Sequence, residues 1–106
     1  MTMQERLQAM IDAGQDAPLA RFTLGELLYK NGELEAACTH LAEAVRQDSE
    51  YSAAWRLYGR VLLEAGQIDA AIDTLTRGIE VAERRGDNQA AKEMHVFLKR
   101  ARRAQA

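Results

Sequence analysis

The sequence predicts an all-α chain built from a repeated pair of helices, and three observations carry that reading. Proline occurs once, at Pro18, and aromatic residues make up 6 % of the chain, while Ala, Leu, Glu, Gln and Arg are abundant. A sheet would draw on β-branched and aromatic runs, whereas straight-chain residues lose little freedom in a helix. Apolar residues recur three and four positions apart, the spacing of one helical face. Finally, the chain matches itself at an offset of 34: LYGRVLLEAG at 57–66 falls on TLGELLYKNG at 23–32, with Gly59 on Gly25, Leu62 on Leu28 and Gly66 on Gly32.

The repeat justifies each element in turn. Leu7 and Ile11 lie 34 positions before Leu41 and Val45, so the segment 3–13 is half a unit. The next helix, 18–31, runs to Asn31-Gly32, where glycine supplies the left-handed residue that ends a helix. A third, 34–47, carries apolar residues at 34, 37, 41, 44 and 45. The second copy repeats the pair: 52–65 runs to Ala65-Gly66, and 68–85 carries its stripe at 68, 71, 75 and 79. Gly86-Asp87-Asn88 reads as a stop followed by a new N-cap. The last helix, 88–103, puts Ala90, Ala91, Met94, Phe97, Leu98 and Ala101 on one stripe with charges elsewhere, the pattern of a cap. The organisation is one domain over 1–106: a half-repeat helix at 3–13, repeat one at 18–50, repeat two at 52–86 and the capping helix at 88–103.

Glycine costs a helix about 1 kcal/mol relative to alanine, so Gly25 and Gly59 need a reason. Without a Cβ, two helices approach closely, and the small residues Ala37 and Ala71 on the following helices are the expected matches.

The pattern resembles the tetratricopeptide repeat, with its period of 34 and its sequence Trp, two residues, Leu-Gly, two residues, Tyr, then Ala, three residues, Phe, then Pro. The second copy offers Trp55, Tyr58-Gly59, Leu62, Ala71 and Leu75; the first offers Arg21, Leu24-Gly25, Leu28, Ala37 and Leu41. The pattern's proline falls on Ser49 and Glu83. The resemblance implies an α-α superhelix, a right-handed solenoid of antiparallel helix pairs with six helices and about 2.5 repeats. It also implies a concave groove lined by the first helix of each pair.

Composition excludes several classes of function. The N-terminal MTMQERLQAMIDAG is charged and amphipathic, without the apolar core of a signal peptide, and no segment approaches the ~18 apolar residues of a membrane span. Cys38 is the sole cysteine and no internal disulfide can form, which suits a reducing compartment. A soluble, cytoplasmic protein is expected. No Gly-rich phosphate loop, serine elbow, His-Glu-x-x-His or Cys/His ligand spacing occurs, so no catalytic residue, cofactor or metal is assigned and the chain reads as a non-enzyme. His40, His95 and Cys38 read as packed or solvent-facing side chains.

Binding of another protein is the expectation. The groove residues implied are Phe22, Glu26, Tyr29 and Lys30 on the first groove helix, and Ala53, Arg56, Arg60, Leu63 and Glu64 on the second. On the last helix they are Gln89, Lys92, Val96, Lys99 and Arg100. Guanidinium groups bind carboxylates bidentately, so the cations suit an acidic peptide or a free C-terminus, beside the aromatic surface of Phe22 and Tyr29. Glu26 with Arg60, or Arg60 with Glu64, would alternatively make intramolecular surface pairs worth at most ~1 kcal/mol. The clamp by which some family members hold chaperone tails needs Lys and Asn one turn apart and a further Asn on the second groove helix; those places are Phe22, Glu26 and Leu57 here. The expected role is an adaptor or co-chaperone.

Two alternatives follow from other features. Residues 1–83 hold 7 Lys/Arg against 14 Asp/Glu, whereas 84–106 hold 7 against 2, an acidic body with a basic end. KRARR at 99–103 could pair with nucleic-acid phosphates, but no aromatic residues interleave for base stacking, and a solvated cap is the simpler reading. Met3, Leu7 and Met10 on the unpaired first helix could be covered by a second copy, making the protein a homodimer or an assembly subunit.

Overall fold

The structure, a computed structural model, describes residues 1–106 as six α-helices with no strand. They are α1 Met3–Asp12, α2 Pro18–Lys30, α3 Leu34–Gln47, α4 Ser52–Glu64, α5 Ile68–Arg85 and α6 Asn88–Gln105. No helix is long and apolar enough to cross a membrane.

Local chemistry fixes the helix ends. Thr2 caps α1 in a reciprocal box, its hydroxyl accepting from the Glu5 N–H at 3.1 Å while the Glu5 carboxylate accepts from the Thr2 N–H at 3.0 Å. Pro18 opens α2, where its missing N–H costs nothing. The turns after α2 and α4 place Gly32 and Gly66 at φ +79°, a conformation that disfavours a side chain. Before α6, the Asp87 carboxylate accepts from the Ala90 N–H at 3.2 Å and from the Ser52 hydroxyl at 2.6 Å, tying the start of α6 to the start of α4. Those bonds to Ser52 and Ala90 hold the Asp87 carboxyl below its ordinary range.

Helices α2 with α3 and α4 with α5 form antiparallel pairs, and α6 closes the far end against α5 and α4. Two apolar clusters result, one around Leu24, Leu41 and Val61 and one around Leu75, Met94 and Trp55. Phe22, Cys38 and Tyr58 pack against both. Gly59 shows why a glycine interrupts α4: a Cβ there would lie 2.3 and 2.7 Å from Cδ2 and Cγ of Leu75. A Cβ at Gly25 would meet Leu41 in the same way, at 2.7 and 2.9 Å. The side chains that fill the glycine gaps are therefore Leu41 and Leu75, one turn beyond the fully buried Ala37 and Ala71; the expected Ala37 also meets the Gly25 gap, its carbonyl oxygen 3.5 Å from where a Cβ would stand. Small residues bring the helices together, and a leucine then occupies the space that the glycine vacates.

One element departs from the repeat. Helix α5 has 18 residues against 14 in α3, so α6 begins later than the period of the first units would place it. Buried Ala54, Trp55 and Leu62 of α4 correspond to buried Ala90, Ala91 and Leu98 of α6.

Candidate functional site

Curvature follows from which helices touch. Helix α2 contacts α4 and α4 contacts α6, while α1, α3 and α5 make no contact with one another. The inner surface is therefore the row α2, α4, α6, and the second helices splay along the outer side.

On that inner row, four side chains stack across all three helices. The Arg60 guanidinium lies 5.4 Å from the centre of the Tyr29 ring and 5.8 Å from that of Phe97. Arg100 lies 5.8 Å from the same Phe97 ring. A cation over an aromatic face is attracted by the ring quadrupole, by about 0.5–1 kcal/mol at an exposed site. The order Tyr29, Arg60, Phe97, Arg100 therefore positions two planar donors against two rings. Burial, with the Glu64 carboxylate beside it, pushes the Tyr29 phenol up.

Neither Arg60 nor Arg100 donates a hydrogen bond within the chain, although Arg60 keeps a loose ion pair with Glu64. Arg60 approaches Glu64 only to 3.8 Å and Arg56 approaches Glu93 only to 3.8 Å, too far for hydrogen bonds. By contrast, Arg21 on the outer side clasps Asp16 with two bonds of 2.8 and 2.7 Å, and Arg46 and Arg84 similarly clasp Glu43 and Glu50. The bonds from Arg21 and Gln47 hold the Asp16 carboxyl well below its usual range. A carboxylate arriving from outside would find the Arg60 and Arg100 forks open.

The remaining candidate positions distribute unevenly. Of the two intramolecular pairs considered, Arg60 with Glu64 forms loosely and Arg60 with Glu26 does not form. Phe22 is half-buried, with its ring centre 5.2 Å from that of Tyr51, and contributes to both clusters. Leu63 packs against the second cluster, Glu26 is half-exposed and Lys30 is exposed at the end of α2. Lys92 and Val96 are exposed on α6. Lys99 is not in the stack: with His95, Leu98, Arg102 and Arg103 it lines a depression at the open end of α6. Phe97, assigned from its spacing to the packing stripe, is half-buried and does both jobs, touching the core and carrying two guanidinium groups.

His40 and Cys38 lie on α3, outside the row, and His95 lies on α6 apart from the stack. Arg21 donates to the His40 Nδ1 at 3.1 Å, and burial together with that cation pushes the His40 imidazole down. Burial, then the nearby Glu35 carboxylate, pushes the Cys38 thiol up, the opposite of what a nucleophile needs. His95 is mostly exposed, 4.0 Å from Glu83.

Comparison with known proteins agrees with this architecture. Residues 4–51 and 22–91 match the family model described as tetratricopeptide repeat. The TPR repeat-containing protein PA0015 of Pseudomonas aeruginosa is 41 % identical over 102 residues, which span 96 % of this chain and 97 % of that protein. The solution structure of protein BPP2914 from Bordetella parapertussis superposes with a TM-score of 0.80 at 39 % identity, covering 97 % of this chain and 90 % of that one. A tetratricopeptide repeat domain protein from Salinibacter ruber gives 0.74 at 27 % identity over 80 % of this chain and 96 % of that one.

Proposed function

The chain belongs to the tetratricopeptide repeat family, whose folds generally serve as non-enzymatic protein-interaction modules, and from that premise we propose that the inner row of α2, α4 and α6 binds a peptide segment of another protein. The segment is acidic or ends in a free carboxylate, and the role is that of an adaptor or co-chaperone. The observation that carries this reading is the Tyr29, Arg60, Phe97, Arg100 stack, whose guanidinium groups make no hydrogen bond within the chain. A guanidinium held over a ring has part of its freedom already removed, so less is lost when it closes on a carboxylate. Apolar side chains of the peptide would rest on Phe97, Leu63 and Val96, and Lys92 and Lys99 would add positive potential. Phe22, Glu26, Lys30 and Arg56 would contact the segment where it continues across α2 and α4. The site does not depend on the tail clamp of other family members, because Phe22, Glu26 and Leu57 stand at that clamp's positions.

Fluorescence anisotropy with labelled peptides tests the reading. Three probes suffice: an acidic peptide with a free C-terminus, its C-terminal amide, and a basic peptide of equal length. The acidic free acid should bind, amidation should weaken it and rising salt should weaken it further. Equal affinity for all three, or preference for the basic peptide, would contradict the proposal.

A further inference from the structure

The two copies of the repeat carry opposite charges at two equivalent inner positions. Where the first copy has Glu26 and Lys30, the second, 34 residues on, has Arg60 and Glu64. Given peptide binding at the inner row, we propose that Glu64 is an internal competitor for the carboxylate of the peptide. In the free protein it stands against the Nε edge of Arg60, and it gives way when a ligand carboxylate closes on that guanidinium. Glu64 thereby lowers the affinity of the row for acids and keeps binding reversible.

Helix stability does not account for this carboxylate. Lys30 and Glu64 are the last residues of α2 and α4. The backbone carbonyls at a helix C-terminus carry a partial negative charge, which favours Lys30 and disfavours Glu64. Order along the chain acts in the same direction. A carboxylate four residues before a cation, as in Glu26 and Lys30, supports a helix better than the reverse order of Arg60 and Glu64. The second copy has the less favourable arrangement on both counts.

The surroundings of Arg60 give Glu64 a different place. Its Oε2 lies 3.8 Å from Arg60 Nε, within the range of an ion pair and beyond that of a hydrogen bond. The rings of the neighbouring helices orient the arginine, with its guanidinium 5.4 Å from the centre of Tyr29 and 5.8 Å from that of Phe97, while the carboxylate of its own helix only shadows it. Burial, and then the Glu64 carboxylate beside it, push the Tyr29 phenol up, so Glu64 stands near both the cation and the hydroxyl.

Such a pair is easily opened. On the outer side, a ligand would have to break the two short bonds of 2.8 and 2.7 Å by which Arg21 holds Asp16. At Arg60 there is no hydrogen bond to break, and the side chains of Arg60 and Glu64 are 45 and 47 % exposed. Once displaced, Glu64 can turn to water or accept from the Tyr29 hydroxyl, so no buried charge is left unpaired. An exposed ion pair contributes little, and repulsion between Glu64 and the arriving carboxylate adds to it. Neutralising Glu64 should therefore raise affinity roughly three- to tenfold.

Anisotropy titrations of the acidic peptide with a free C-terminus on the wild type, E64Q and E64K, at low and at high salt, test this role, with unfolding midpoints recorded beside them. Affinity should rise in the order wild type, E64Q, E64K, and the gain should shrink at high salt because it comes from charge. Neither variant should lower the midpoint, whereas loss of a merely structural residue would. Unchanged or weaker binding by E64Q, a gain undiminished by salt, or a lowered midpoint in both variants would overturn the competitor role and leave binding at the inner row in place. Failure of the wild type and both variants to bind the peptide would overturn both.

Discussion

Replacing Leu75 with alanine should destabilise the protein by about 2–5 kcal/mol, a large fraction of the 5–15 kcal/mol typical of a domain. Leu75 has no exposed surface, and its branch fills the notch that Gly59 leaves in α4. Deleting it removes apolar contacts with both α4 and the core and leaves a cavity that the rigid pair of backbones cannot close. The reverse change tests the same contact. Gly59→Ala adds a Cβ 2.3 Å from Leu75 Cδ2, and overpacking of that kind costs about 1–3 kcal/mol against about 1 kcal/mol gained in helix propensity. The net effect should be destabilising. In the double variant the new methyl occupies part of the vacated space, so the combined loss should be smaller than the sum of the single losses, by about 0.5–3 kcal/mol. Urea unfolding followed by circular dichroism measures all three; strict additivity would mean that the glycine and the leucine do not share this space.

Arg60→Glu combined with Arg100→Glu should abolish measurable binding of an acidic peptide with a free C-terminus. A hydrogen bond to a charged group contributes about 1.5–3 kcal/mol, so losing even one lowers affinity roughly ten- to hundredfold, and the reversed charges add repulsion. Arg60→Lys should fall between, because the lysine keeps the charge but loses the planar fork and its seat between Tyr29 and Phe97. The fold should survive at a modest cost in stability: three cation–aromatic contacts worth about 0.5–1 kcal/mol each are lost, while the loose 3.8 Å approach of Arg60 to Glu64 contributes little. Unfolding midpoints recorded beside the anisotropy titrations separate loss of binding from loss of fold.

The helices were legible in the sequence because several signals agreed: a period of 34, glycines at the turns and apolar spacings of three and four. Spacing could place Gly25 and Gly59 at a helix contact but could not decide which residue rises to meet them, since Ala37 and Leu41 share one face a turn apart. The longer α5 hid the register of α6, which has no glycine of its own to mark it. The candidate site was legible at the level of faces. Tyr29, Arg60 and Arg100 could be placed on groove helices from sequence, whereas Phe97 looked like a core residue because a half-buried aromatic ring satisfies the same apolar spacing. Tyr51, whose ring packs tilted against that of Phe22, precedes its helix and so carries no periodic signal. Which cations are loosely paired also depends on neighbours far along the chain, as Arg56 and Glu93 illustrate.

The most direct test of the account is where a bound peptide sits. Titrating isotopically labelled protein with the acidic, free-acid peptide and following side-chain and amide NMR shifts should move Tyr29, Arg60, Phe97 and Arg100 together, with one saturation curve, and leave the outer faces of α3 and α5 still. Shifts confined to those outer faces, or none at saturating peptide, would contradict the assignment of binding to the inner row.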